Sequence, residues 1–205
     1  MSVNEQFMKP TGEEGREVIK TMNEHHRPVT EWALSKMPDL HPKRILDIGC
    51  GGGMLIGILA DLYPDSVLDG VDISDESVSA TIEYNLPLVE VGRLNVTEGS
   101  VSDLPYDPDT FDLITAIETY FFWPDLELDI FSASNRLVRG GTMMIASEAY
   151  VCPEFKERND HYSKEYGVRL VSNEMLADMM ESAGLTTTTY TFKENNWVVF
   201  VGKRR

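Results

Sequence analysis

Cysteine is scarce, with only Cys50 and Cys152 in 205 residues. Two thiols cannot staple a chain this long, so its fold must rest on a hydrophobic core. With no secretory leader recognisable at the N-terminus, they read as reduced thiols in a cytoplasmic protein. Positive charge is also in short supply: 18 Lys and Arg stand against 34 Asp and Glu, a formal charge of −16. Such a field repels phosphate backbones, and neither Arg204-Arg205 nor Lys156 to Lys164 reads as a nucleic-acid face. The apolar stretch Met54 to Ala60 is far too short to cross a bilayer, so no membrane partner is expected. No Cys/His spacing suggests zinc, and no metal is expected. His25 and His26, adjacent on a helix-like segment, are not expected to share a face. Repeats, low-complexity tracts and long linkers are missing as well. A single domain is therefore expected, with residues 1–42 as an N-terminal helical cap and 43–205 as the core.

What the chain does have is concentrated between Arg44 and Ala60, RILDIGCGGGMLIGILA. An apolar run ends at Asp47, breaks into glycines, and resumes as a helix-compatible segment. Strand, glycine turn and helix place a cofactor crevice at the carboxyl edge of an open α/β sheet. The glycines admit positive φ and let a ligand approach bare main chain. A pyrophosphate-gripping G-x-G-x-x-G would need glycine at position 54, where Met54 stands. The pattern is instead D-x-G-x-G-x-G. At these residues the chain resembles motif I of the class I S-adenosylmethionine-dependent methyltransferases, in the small-molecule branch typified by quinone-biosynthesis enzymes. The resemblance implies that Gly49, Gly51 and Gly53 line the methionine and ribose portion of S-adenosyl-L-methionine. It implies that Asp47 orients the turn or meets the ammonium group, and that backbone from Ala116 to Glu118 touches the methionine portion.

Val67 to Ser74 reads as a second buried strand closing on Asp72. An acid here accepts from the hydroxyls of a ribose diol, an interaction worth about 1.5–3 kcal/mol. Nicotinamide enzymes place an acid here too, so Asp72 does not by itself separate the cofactors. Ile73 is the expected adenine wall. The passage Gly99-Ser100-Val101-Ser102-Asp103-Leu104-Pro105-Tyr106 is similar to the family's adenine-edge loop. Ser100 stands where that family places an acid and Val101 where alanine is common, with Asp103 able to compensate only if the loop turns inward. No N/D-P-P-Y tetrapeptide, the mark of base methylation, occurs.

The remaining pattern predicts an α/β, Rossmann-like three-layer sandwich with a mostly parallel seven-stranded sheet. Strands are expected at Ile45–Gly49, Leu68–Asp72, Leu94–Glu98, Phe111–Glu118 and Thr142–Glu148. A C-terminal β-hairpin should pair Thr186–Phe192 with Trp197–Gly202, the antiparallel ending of class I methyltransferases. Helices should fill Met54–Tyr63, Glu76–Asn85, Leu126–Val138 and Asn173–Ala183, the last capped by Ser172 and stopped by Gly184. Thr11-Gly12-Glu13-Glu14 matches a capping box opening a helix toward His25, and Pro28 suits the first turn of another.

The expected reaction is in-line displacement of a sulfonium methyl onto an unidentified small molecule, driven mainly by alignment and exclusion of water. An acceptor that must lose a proton needs a base, for which Glu118, Glu148 and His26 are candidates beside His25. Tyr120, Trp123, Tyr150 and Trp32 are candidate acceptor-pocket walls. Cys152–Leu170 reads as a solvated charged segment or as a cover for the site. A non-catalytic S-adenosylmethionine-binding protein and an NAD-dependent oxidoreductase are the alternatives.

Overall fold

The computed structural model describes the backbone of residues 3–205 and side chains from Gln6 onward. In chain order the elements are α1 (Val3–Met8), α2 (Gly12–Leu34), β1 (Arg44–Ile48), α3 (Met54–Leu62), β2 (Val67–Asp72) and α4 (Asp75–Tyr84). They continue with α5 (Leu86–Glu90), β3 (Leu94–Glu98), β4 (Phe111–Ile117), α6 (Leu126–Arg136) and β5 (Leu137–Ser147). The C-terminal part is α7 (Lys156–Tyr166), α8 (Asn173–Ser182), β6 (Leu185–Phe192) and β7 (Trp197–Arg204).

The seven strands form one sheet in the order β3-β2-β1-β4-β5-β7-β6. Pairs from β3 through β5 are parallel, while β7 runs antiparallel to both β5 and β6. Strands buried on both faces read as continuous apolar runs, and β1 and β4 do so. Ile45, Leu46, Leu113 and Ile114 are almost wholly excluded from solvent. The strand order reverses where β1 lies between β2 and β4, and a crevice opens beyond their carboxyl ends.

Three sequence expectations need correction. Residues 12–34 form a single helix with Pro28 inside it, rather than two. Proline removes one intrahelical bond there, but Val29, Thr30 and Ala33 beyond it are buried, so packing carries the helix through. The predicted capping box is not formed. Thr11 makes no side-chain cap, and its backbone N–H and hydroxyl are engaged by Gln6 instead. Strand β5 also starts earlier than its alternation suggests, at Leu137. The pairing skips from Phe111↔Leu137 to Leu113↔Thr142, and Gly140, at φ 80°, absorbs the extra residues.

Helix α2 lies across the glycine turn. Asn23 donates from Nδ2 to the Gly52 carbonyl at 3.1 Å, and a Cβ on Gly52 would overlap Asn23. Ser74 donates to the Pro10 carbonyl at 2.5 Å, and Arg16 pairs with Glu76 at 2.7 Å. Helices α1 and α7 meet through Phe7 and Tyr166, with ring centroids 4.6 Å apart. The N-terminal helices and α7 thus roof the same edge of the sheet.

Candidate active site

Beyond β1 the chain turns through Gly49 to Gly53 and enters α3. Gly51 sits at φ 54°, and a Cβ built there meets nothing closer than the Gly49 carbonyl oxygen at 4.0 Å. Its backbone N–H donates to Asp72 Oδ2 at 2.9 Å, while Asp72 Oδ1 accepts from the Ser74 N–H at 3.0 Å. The turn is therefore tied to the end of β2 through the Asp72 carboxylate. Burial raises the Asp72 carboxyl above its usual range, opposed by those backbone donors. Asp47 accepts from the Thr115 hydroxyl at 2.7 Å. Burial pushes its carboxyl up to about 7, and the negative charge of Asp72 adds to the rise.

The crevice encloses a cavity of about 330 Å³. Among the sequence-predicted residues, Asp47, Gly49, Gly51, Asp72, Ile73, Ser100, Val101, Glu118, His26 and Trp123 line it. Gly53 does not. It starts α3 at φ 77°, and a Cβ would strike Asn85 Nδ2 and the Thr81 backbone, so its bareness serves the packing of α3 on α4. Ala116 is fully buried within the sheet, and the residues that emerge from β4, Ile117 to Thr119, line the cavity instead. Ser100 reaches the wall, but its hydroxyl accepts from the Ser102 N–H at 3.2 Å. Asp103 points to solvent and does not replace the missing acid.

A second cavity of about 280 Å³ adjoins the first, sharing Phe7, Met22, His26, Glu118 and Phe122 as walls. Its remaining lining includes His25, Phe121, Glu148, Tyr162, Tyr166 and Val168. His25 Nε2 lies 3.1 Å from Glu148 Oε2. The two adjacent histidines thus converge on one space after all. Side chains 100° apart on a helix can both reach a cavity that undercuts it. Glu118 follows β4 at φ 58°, a costly conformation for a non-glycine residue and a frequent companion of function. Its Oε1 accepts from the Glu148 backbone N–H. Burial first, then the Glu148 charge, holds the Glu118 carboxyl well above the usual range. Burial and the neighbouring His25 lower His26 to about 4, so its ring stays neutral.

Three predicted acceptor walls lie elsewhere. The turn Tyr120–Phe122 rolls Tyr120 into the core, where it is 2% exposed, and brings Phe122 to the walls of both cavities. Tyr150 offers its carbonyl to the amides of Asn159 and Asn196, at 2.8 and 3.1 Å, and lines neither cavity. Trp32 faces the hairpin, its ring centroid 6.1 Å from Phe192 and 5.9 Å from Trp197. Sequence reasoning missed Asn23, Met22, Thr119 and the inward role of Phe7. Only long-range packing brings those residues here. Cys50 is buried in the turn and its thiol is pushed up by burial.

Residues 45–141 match the family model described as methyltransferase domain. Over that stretch, a little under half of its length, the chain is similar to methyltransferase domains. Over 112 residues it is 29% identical to a ubiquinone biosynthesis O-methyltransferase of Vibrio atlanticus, covering 54% of this chain and 45% of that protein. A trans-aconitate 2-methyltransferase of Rhodococcus jostii is 40% identical over 72 residues, 35% of this chain and 27% of that one. The matched part of this chain thus spans less than half the length of either relative. Solved structures share the fold at lower identity. A chain from the complex between the Haloferax volcanii Trm112 methyltransferase activator and the putative methyltransferase superposes with TM-score 0.79. It is 20% identical, with 91% of this chain and 93% of that one covered. The geranyl diphosphate C-methyltransferase of Streptomyces coelicolor, solved with Mg2+, geranyl diphosphate and S-adenosyl-L-homocysteine, gives 0.78 at 12% identity, covering 100% of this chain and 89% of that one. The antiparallel β7 sets this sheet apart from the purely parallel one of the nicotinamide alternative. Among the described residues, no helix is long and apolar enough to cross a membrane.

Proposed function

We propose that the protein transfers a methyl group from S-adenosyl-L-methionine to a small-molecule acceptor by in-line displacement. Residues 43–205 form the cofactor-binding core, and 1–42 cap it. The observation that carries this reading is the Gly51 N–H bonded to Asp72 beside an open cavity, with no side chain between them and the space. That bare main chain and paired acid fit an adenosyl group. Asp72 would hold the ribose hydroxyls, and Ile73, Ser100 and Val101 would flank the adenine. Asp47, Gly49 and Gly51 would face the methionine portion, with Asp47 placed for its ammonium.

The cofactor supplies an electrophilic sulfonium methyl. The chain's own residues must then place the acceptor atom, keep water out and accept any proton the acceptor loses. The second cavity suits an acceptor with an apolar or aromatic body. Phe121, Phe122, Tyr162 and Tyr166 form its walls, and Glu118, Glu148, His25 and His26 its polar end. Trp123 closes the cofactor side. The surplus of acid disfavours a nucleic-acid acceptor, and two free thiols support a cytoplasmic setting. Calorimetry with S-adenosyl-L-methionine, S-adenosyl-L-homocysteine and NAD tests the cofactor. The first two should bind and NAD should not. Incubation with methyl-labelled cofactor and a metabolite extract tests the transfer, because a purely binding protein would leave the extract unlabelled.

A further inference from the structure

We propose that His25, His26 and Glu148 bind a divalent transition ion of the zinc type at the polar end of the second cavity. One ligand atom from each lies within 4.8 Å of the others. His25 Nε2 and Glu148 Oε2 are already 3.1 Å apart. Two ligands about 2.0–2.2 Å from one tetrahedral ion lie roughly 3.3–3.6 Å from each other, so this pair is within a few tenths of an ångström of ligand spacing. His26 offers the third ligand atom, within 4.8 Å of the other two. Two imidazoles and one carboxylate select zinc, cobalt or iron over magnesium, which prefers oxygen and keeps its water. Three protein ligands also leave coordination positions open, the arrangement of a working site rather than a structural one.

The surroundings support the assignment. The backbone of Glu148 is clamped by the Glu118 carboxylate at its N–H and by Arg158 at its carbonyl, 3.0 Å away. That outer shell fixes the chain from which the carboxylate projects. The His25 side chain is 59% exposed, giving a hydrated ion a way in, while Glu148 is 18% exposed. The open positions point into the aromatic-walled space, where an acceptor hydroxyl can coordinate. Coordination lowers the hydroxyl pKa: the O–H bond breaks, the proton passes to water, and the oxygen keeps the electron pair. This use of the ion rests on the methyl-transfer reading; binding of the ion does not.

Titrating metal-stripped protein with Co2+ alone, without cofactor or acceptor, tests the site. One equivalent should bind, with the visible spectrum of a nitrogen- and oxygen-ligated ion and no thiolate charge-transfer band. His25→Ala changes an exposed residue and should fold normally by circular dichroism. It should weaken binding by more than about a hundredfold, the loss expected for a direct ligand, and Glu148→Gln should match it. Lack of saturable binding, undiminished binding by His25→Ala, or displacement by equimolar Mg2+ would overturn the assignment. None of these readouts involves methyl transfer, so their failure leaves the proposed function to its own test.

Discussion

The two ends of the crevice are built in different ways. The glycine-turn end comes from one continuous stretch, β1 through β2, where Asp47, Gly51 and Asp72 sit within 26 residues. The acceptor end is assembled from three pieces far apart in sequence. His25 and Glu148 are 123 positions apart, and Glu118 comes from a third segment. Local geometry fixes the first end, since strand, turn and helix specify it together. Tertiary packing fixes the second, through the seating of α2 on the Gly52 carbonyl and of α7 on α1. The first end should therefore be intolerant of single changes, and the second should retune without disturbing it.

The sharpest way to break this contrast is Gly51→Val. A β-branched residue at φ 54° is strained, and its methyls would fill the space beside Asp72. S-adenosyl-L-methionine binding should disappear from a calorimetric titration. Undiminished affinity would remove the cofactor site from this turn. Asp72→Asn comes next. It keeps the shape but replaces a charged acceptor, at a cost of about 1.5–3 kcal/mol, or roughly tenfold to 150-fold in cofactor Kd.

A smaller effect tests Asp47. Its carboxyl is raised to about 7, so it keeps a proton below that pH in the unliganded protein. A cationic ammonium prefers the carboxylate, and binding must expel that proton. Cofactor affinity should hold above pH 7.5 or so and fall by up to about tenfold per unit as pH drops below about 7. Asp47→Asn should flatten the profile. A slope unchanged in that variant would show that another group titrates.

The same contrast explains which features could be read from the chain alone. The seven strands, the antiparallel ending and much of the cavity wall beside the glycine turn follow from hydrophobic runs and glycine spacing, which act over short distances. The failures share a different cause. Pro28 reads locally as a helix start, yet burial of Val29 and Ala33 carries α2 past it. Tyr120 reads as a pocket wall because it follows a strand end. A single tight turn decides which of the successive aromatics faces in, and composition does not encode that rotation. Gly53 carries the motif's spacing but spends its bareness on α4. The convergence of His25, His26 and Glu148 left no local trace, because neither helix period nor strand alternation relates α2 to the end of β5.

Phe122→Ala probes the boundary between the two ends, since Phe122 lines both cavities. Removing the ring should raise the KM for an apolar acceptor more than it changes cofactor Kd, a split of about 1–3 kcal/mol against a few tenths. Equal losses on both sides would mean that the cavities act as one.

The smallest expected effect on ligands is at Trp32, which belongs to neither end. Its ring packs against Phe192 and Trp197 beneath the cation of Lys36, so it secures α2 to the hairpin. Trp32→Ala should cost about 1–2 kcal/mol of stability for a half-buried ring, lowering Tm by roughly 2–8 °C. Cofactor Kd should not move, because Asn23 still holds the other stretch of α2 on the glycine turn. If Kd weakened in step with Tm, α2 would be acting as a lever on the turn. The intolerance of the glycine-turn end would then belong to the roof above it as well as to its own backbone.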